Sequence, residues 1–534
     1  MSGPQFQRRF LDSLPGDTDT HAMPREVLGA MWSRVAPTPV AAPRILTWSK
    51  GLAEQLGLPA DLMQSQQAAD VLTGNAQWPG MDTYAANYGG HQFGNWAGQL
   101  GDGRAIVLGE LRDPSGRSHE LQLKGAGPTA YSRMGDGRAV LRSSIREYLC
   151  SEAMHALDIP TTRALSLAAT GDNIVRDMFY DGNARAEPGA IVCRVAESFL
   201  RFGSYQLPTS RGDHELLQQL VDFTLENWFP EHFNQGVDGY VEWLKTVAER
   251  TARLVASWQG VGFVHGVLNT DNMSILGLTI DYGPYGWIDN FDFQWTPNTT
   301  DNMQRRYAYG RQPSIGLWNI ARLCEAIQPL LGDDKERLEE AITHYQRSYA
   351  KAATNVWGSK LGISWRGASE GGATEGSAGG DENLVQSLLE WLEKHETDMT
   401  IFFRSLAPVA EQPTAPDSLP EGIRAAFYSE PAAAHVEAGT AWLRRWWQRT
   451  REEPREPAEI AAAMQRTNPK YVLRNWLSQQ AIEAAEQGDL APLHRLEAVM
   501  QHPFDEQPEH EELAGRRPEW ARNKPGCSAL SCSS

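Results

Sequence analysis

The spacing of apolar residues changes character along this chain, and the changes mark its parts. Two short runs, RAIVLGEL (Arg104 to Leu111) and HELQLKG (His119 to Gly125), flank the turn-forming RDPSGRS and predict a β-hairpin. In SSIREYLCSEAMHAL, Ser143 to Leu157, the residues Ile145, Leu149, Ala153 and Ala156 share one helical face behind a serine start. A sheet with one helix results. Past residue 190 the period turns helical: YVEWLKTVAERTARLVASWQGVG sets Trp243, Leu244, Val247, Leu254, Val255 and Trp258 on an apolar stripe that ends at glycine. Helical patterns return in ENLVQSLLEWLEKHETDMTIFFRSL and PKYVLRNWLSQQAIEAA.

In order, these patterns divide the chain. Residues 1–80 read as a proline-punctuated N-terminal extension with short helical pieces such as REVLGAMWSRV (Arg25 to Val35), expected to pack as an appendage. Residues 81–190 form a small glycine-rich sheet lobe, and 191–365 a larger helical lobe. The run RGASEGGATEGSAGGDEN, residues 366–383, is too poor in apolar side chains to fold and is expected to be a disordered insertion. A helical region over 384–520 and a flexible, cysteine-containing tail over 521–534 follow.

With 534 residues the chain exceeds the roughly 250 to 300 at which a single core stops growing, so two lobes with appended helices are expected. It is 41% hydrophobic and 22% charged, with no apolar run near the ~20 residues of a bilayer span, which excludes an integral membrane protein of helical type. The first thirty residues carry Arg8, Arg9, Asp12, Asp17 and Asp19 and resemble neither a signal peptide nor a transit peptide. The cytoplasm is the expected compartment, or the mitochondrion for a eukaryotic source. A formal charge of -18 repels phosphate backbones and anionic lipid, so neither nucleic acid nor membrane is expected as partner, and any polyphosphate site must be a local basic pocket. A monomer is expected. Five scattered cysteines make neither a disulfide framework nor a zinc site. Cys150, Cys193 and Cys324 are expected as buried thiols, whereas Cys527 and Cys532, in a serine-rich end, are either redox-active or idle.

The residues that carry chemistry lie between 98 and 281. GQLGDGRAIVLGE sets Gly98, Gly101, Gly103 and Gly109 around a strand, where bare backbone can approach phosphate oxygens, although many hairpins are glycine-rich for their turns alone. LGDGRA at Leu100 to Ala105 recurs as MGDGRA at Met134 to Ala139. Lys124 ends the next strand, and Glu147 on the following helix is its expected partner, Glu152 facing another direction. Arg194 and Arg201 either lie on the surface or converge on one anion as fork-shaped donors. In VHGVLNTDNMSILGLTIDYGP, Asn272 and Asp281 offer oxygen ligands suited to Mg²⁺ or Mn²⁺. Asp271 either takes a proton or caps its turn, and His265 packs the loop.

Glycine loop, strand lysine, helix glutamate, His-x6-Asn and Asp-x-Gly stand in the order of a protein kinase, whose catalytic loop reads H-R-D-L-x-x-x-N and whose D-F-G aspartate holds Mg²⁺. Val267 stands where the kinase base would. The stretches YGGHQFGNWAGQLGDGRA, LKGAGPTAYSRMGDGRAVLRSSIREYLCSEAM, IPTTRAL, LRFGSY and GVLNTDNMSILGLTIDYGP resemble the selenoprotein O (SelO) family of pseudokinases. The likeness runs from about Tyr84 to Arg322 and, more loosely, through NPKYVLRNW to the Cys-Ser-Ser end.

That resemblance implies an α+β, protein-kinase-like two-lobed fold with N-terminal and C-terminal helical extensions. It implies transfer of AMP from ATP, bound in a flipped orientation, to Ser, Thr or Tyr hydroxyls of protein substrates, with pyrophosphate leaving. By position it implies ATP contacts at Gly101, Gly103, Arg104, Lys124, Asp136, Gly137, Arg194, Arg201 and Asp281, a proton acceptor at Asp271, and Mg²⁺ or Mn²⁺ ligands at Asn272 and Asp281. With the nucleotide reversed, the reacting centre is the α-phosphorus; metal ligands are still needed, and the kinase base loses its geometry. Cys532 matches the family's terminal selenocysteine or cysteine, but WIDNFDFQWTPNTTDNMQRR, after Asp-x-Gly, has no cysteine to which such a tail is tied in some members. An ordinary kinase is opposed by Val267. An inert nucleotide-binding scaffold is opposed by the joint presence of Lys124, Asp271, Asn272 and Asp281.

Overall fold

The computed structural model describes residues 3–178, 182–332, 336–366 and 380–531. A nine-stranded sheet runs in the order Gly16–Asp17, Trp32–Arg34, Tyr84–Ala86, Ala105–Arg112, Ser118–Lys124, Arg185–Ala196, Arg163–Arg176, Arg44–Trp48, with Phe6–Gln7 beside Ala105–Arg112. All neighbours are antiparallel except the first two. The hairpin around RDPSGRS is present, and Asp113 closes its turn by accepting the Ser115 and Arg117 amides at 2.9 Å.

Side-chain alternation buries both faces of this sheet. Ile106, Leu108, Leu121 and Leu123 pack with Leu52, Leu56, Met63 and Leu72 on one side, while Val107, Leu167 and Val192 meet Ile145 and Leu149 of helix Leu141–Ala156 on the other. Each such side chain contributes about 1.5–3 kcal/mol by burial. The lead-in is therefore built into the sheet: it supplies four strands and one wall of the core. The helix expected over Arg25 to Val35 is absent. That stretch is non-helical and ends in strand Trp32–Arg34, because its backbone finds partners across the fold: Arg25 donates to Ala130 O, Met31 to Pro15 O, and Met31 O accepts from Asn87.

Helix Gly236–Val261 ends at Gly262, whose φ of 74° is the left-handed stop that glycine makes cheap. It delivers the chain to the short ladder Phe263–Val264 with Gly286–Trp287, which brackets the loop carrying Asp271, Asn272 and Asp281. The C-terminal helices have their own core, including Leu388, Phe402, Leu406, Trp442 and Met464. Buried Arg474 joins that core to the body through Asp289 and Asp398, both at 2.9 Å. Glu497 on helix Ala491–Met500 accepts from Tyr148 and Thr47 at 2.6 and 2.8 Å, which holds helix Leu141–Ala156 from behind.

Residues 367–379 of the expected insertion lie outside the described residues, whereas Gly380 to Asn383 begin helix Gly380–Glu393. The tail is not loose as far as it is described. Leu530 is buried, donates to Pro297 O at 2.9 Å and accepts from the Thr299 amide at 2.8 Å, while Asn475 donates to Cys527 O at 3.0 Å. Burial pushes the Cys527 thiol up to about 11, which makes it a poor nucleophile at neutral pH. Cys532 lies outside the described residues. Cys150, Cys193 and Cys324 are buried. Among the described residues no helix is long and apolar enough to cross a membrane.

One buried charge makes the fold's stability depend on pH. Lys360, 3% exposed, donates to Asn468 Oδ1 at 2.8 Å and lies 4.2 Å from the centre of the Phe403 ring, and no carboxylate among the described residues pairs with it. Burial lowers it from 10.5 to about 7. The unfolded chain holds the proton between those values, so the penalty on the folded state is full below about pH 7 and fades as pH rises towards 10. Lys360→Met is expected to stabilise the protein at pH 7 by on the order of 3 kcal/mol, with the gain shrinking at pH 10. Urea denaturation at the two pH values checks this, and an equal gain at both would refute it.

Candidate active site

A cavity of about 830 Å³ opens between the sheet and the helical body. Lys124 reaches it from the end of its strand, Arg194 from the neighbouring strand, and Arg201 from the N-cap of helix Phe202–Ser210. Glu147 stands behind them, its two oxygens 2.6 Å from Lys124 Nζ and 3.0 Å from Arg194 Nη1. Glu152 turns away to Arg163 and Ser49 at 2.7 and 2.6 Å. Asp281, at φ 61°, is gripped on one oxygen by Arg194 and on the other by Arg201. Two guanidinium clamps hold a backbone conformation that a side-chain-bearing residue otherwise avoids.

Electrostatics follows from this packing. Burial alone would raise the Asp281 carboxyl, but Arg201, then Arg194 and Lys124, hold it well below the usual carboxylate range. Burial lowers the Lys124 ammonium, with Glu147 opposing and Arg194 and Arg104 assisting. Burial works against the charge on Arg194 and Arg201, yet their acidic neighbours raise both above the ordinary arginine value.

The two GDGR turns face each other across GPTAYSR. A Cβ on Gly101 (φ 68°) would sit 2.3 Å from the Tyr131 ring, and one on Gly137 (φ 67°) would sit 2.0 Å from Gly127 O, so only glycine fits either turn. Thr129 donates to Asp102 O at 2.7 Å and Ser132 donates to Gly103 O, which fastens the first turn. Arg104 is exposed beside the cavity, and Asp136 pairs with Arg176 at 2.6 Å. Gly98 and Gly109 do not line the cavity; Gly109 is the irregularity within its own strand.

The loop Asn269–Asn272 lies under a second hairpin, Gly89–Gln92 with Asn95–Gln99. The His91 amide donates to Thr270 Oγ1 at 2.7 Å, the Phe93 amide to Asn269 Oδ1 and Tyr307 Oη at 3.2 and 2.9 Å, and Gln92 Nε2 to Asp271 Oδ2 at 3.1 Å. Asp271 Oδ1 is buried without a partner, and a Cβ on Gly90 would lie only 2.7 Å from it. Burial raises the Asp271 carboxyl to about 6, against the Gln92 hydrogen bond. Asn272 donates its amide nitrogen to Val267 O at 2.8 Å, so its oxygen is the end left for a ligand. His265, 1% exposed, pairs with Ile280 O at 2.9 Å and only packs the loop.

Gly101, Gly103, Arg104, Lys124, Asp136, Gly137, Arg194, Arg201, Asp271, Asn272 and Asp281 all line this one cavity, with Glu147 bonded behind it. Sequence reasoning missed Asp102, which accepts from Gln122, Ala86 and Tyr88 and lies 3.7 Å from Arg201, although it stands inside the first GDGR. It also missed Gln92, Gly90 and Tyr307, which reach the loop from distant segments and carry no local signal. Among the described residues no three His, Cys, Asp or Glu gather around a common ion position. Asn272 and Asp281 suit an ion that completes its shell with phosphate oxygens.

The family model described as protein adenylyltransferase SelO matches residues 21–501. A protein nucleotidyltransferase YdiU of Nitrosospira multiformis is 51% identical over 99% of this chain and 96% of its own length. Those of Xanthomonas campestris pv. campestris and Aromatoleum aromaticum are each 53% identical, covering 100% and 99% of both chains respectively.

Removing Asp281 would leave Arg194 and Arg201 facing each other, so Asp281→Ala is expected to destabilise the nucleotide-free protein by about 2–3 kcal/mol. Asn272→Ala loses a single partly buried hydrogen bond and should cost about 1 kcal/mol. Denaturation midpoints of the two variants check the order, and the reverse order would contradict the clamp.

Proposed function

The chain belongs to the SelO family of protein adenylyltransferases, and we propose that it moves AMP from ATP to Ser, Thr or Tyr hydroxyls of protein substrates in this cavity. It is a nucleotidyltransferase. We read the sheet-rich and helical parts as the small and large lobes of a protein-kinase-like fold, with the cavity between them.

One observation carries the reading. Four carboxylates line the cavity, and three have cations in reach: Asp102 and Asp281 by Arg201, Asp136 by Arg176. Among the described residues no cation bonds the Asp271 carboxylate, since Arg201 donates to the main-chain carbonyl of Asp271 and reaches its carboxyl only through its field, and one carboxylate oxygen has no hydrogen-bond partner. It is the group able to accept a proton. In the proposed pose Lys124, Arg194 and Arg201 at the inner end take the β- and γ-phosphates, which turns the α-phosphorus towards Asp271. The acceptor oxygen forms its bond to that phosphorus, the hydroxyl proton passes to the Asp271 carboxylate, and the bond between the α-phosphorus and the bridging oxygen breaks to release pyrophosphate. Preorganised cations stabilise the charge developing on the leaving group. Mg²⁺ or Mn²⁺, held by Asn272 and Asp281 together with phosphate oxygens, would neutralise phosphate charge there. A kinase, which would pass on the γ-phosphoryl group, keeps a carboxylate where this chain has Val267.

ATP labelled on the α-phosphate, offered with a protein acceptor and either cation, is expected to label the acceptor with one AMP; γ-labelled ATP should not. Asp271→Ala should cut the transfer by about 10²-fold or more. Labelling from the γ-phosphate alone would replace this reading with a kinase. Gly90→Ala, whose methyl group would displace the Asp271 carboxylate, should lower transfer at least about tenfold while ATP binding, measured by calorimetry, stays near wild type. Wild-type transfer in that variant would show that the carboxylate's position is immaterial.

A further inference from the structure

Outside the cavity, beyond Gln92 and Phe93, the wall continues as a shelf whose chemistry the transfer reaction itself does not use. Trp96, 39% exposed on the hairpin, lies 5.1 Å from His91, which in turn lies 5.5 Å from Trp318. Arg306 and Arg322 stack on Trp318 at 4.7 and 5.1 Å. Arg322 is paired with Glu325 at 2.5 Å.

Among the described residues Arg305, Arg306 and Arg311 have no carboxylate partner. Arg305 and Arg311 donate only to the carbonyls of Gln294 and Gln304, and Arg306 Nε is buried without a partner. Asp301, whose field reaches Arg306 and Arg311, has its oxygens occupied by the Arg306 and Tyr307 amides at 2.9 and 2.7 Å. The three arginines stand within seven residues of one another in a chain of net charge -18 and leave a local excess of positive charge. They are also fixed to the reaction centre, because Tyr307 accepts the Phe93 amide and donates to Asn269 Oδ1 of the Asp271 loop.

We propose that this aromatic and arginine-rich shelf docks the acceptor protein, and that the segment it takes is acidic, with Asp or Glu within a few residues of the hydroxyl that meets Asp271. The proposal rests on the transferase reading and names its substrate class. Charge complementarity selects the partner: fork-shaped guanidinium groups stacked on rings lose little entropy when they engage a carboxylate. Trp96 and exposed Met303 supply apolar contact beside them.

Two matched peptides test it, one with Glu and one with Gln flanking the same acceptor serine or tyrosine, each read for binding by fluorescence anisotropy and for AMP uptake from α-labelled ATP. The acidic peptide is expected to bind about tenfold more tightly, the sum of a few partly exposed ion pairs, and Arg305→Glu with Arg306→Gln should erase that difference while ATP affinity is unchanged. Equal binding of the two peptides, or a preference that survives the arginine changes, would overturn the docking proposal whether or not AMP is transferred. Preferential binding of the acidic peptide with no AMP on either peptide or on the enzyme would support the shelf and sink the transferase reading instead.

Discussion

Buried charge is costly unless it is paired, and the alternating chain Lys124, Glu147, Arg194, Asp281, Arg201 and Asp102 is where this protein pairs the charges of its cavity. Its members come from two strands, a helix, a helix N-cap, the Asp-x-Gly loop and the first GDGR turn. None of these elements can shift without stranding a charge in a site where Arg194 and Arg201 are each 1% exposed. The position of the helix, the angle of the loop and the depth of the cavity are therefore one constraint seen from several sides. The C-terminal helices serve it too, since Glu497 braces the helix that carries Glu147.

The same network gives the cavity its readiness. Without nucleotide, the arginines rest on Asp281; in the proposed reaction, phosphate oxygens would offer them an equivalent partner and leave the carboxylate for a cation. Exchange of one set of charge-assisted bonds for another needs little rearrangement, which is the condition for stabilising charge as it moves. The Asp271 carboxylate stands apart from that exchange, bonded by Gln92, while Arg201 donates only to the main-chain carbonyl of Asp271.

What could be read from sequence followed the range of the interaction. Strand alternation around RDPSGRS, the apolar stripe of Tyr240 to Gly262 and its glycine stop are local signals, and the strands and helix they predict are present. Lys124 and Glu147 were legible as a pair because strand end and helix face fix their directions. The lead-in misled because proline spacing and short apolar pieces do not reveal that its amides pair with strands far along the chain. The tail misled for the same reason: serine and glycine suggest freedom, while Leu530 is anchored by Pro297 and Thr299. Gln92, Gly90 and Tyr307 acquire meaning only from closure of the hairpin over the loop.

That anchor imposes an order on manufacture. Leu530 completes the segment containing Asn298, whose side chain donates to Gly266 O at 3.0 Å in the loop that leads to Asp271. Ribosomes add roughly 5–20 residues per second. Strands and loop thus emerge tens of seconds before the residue that braces them, and the growing polypeptide on the ribosome carries its machinery with the final fastening missing. The loop must therefore wait for a distant stretch of chain before that brace can be set.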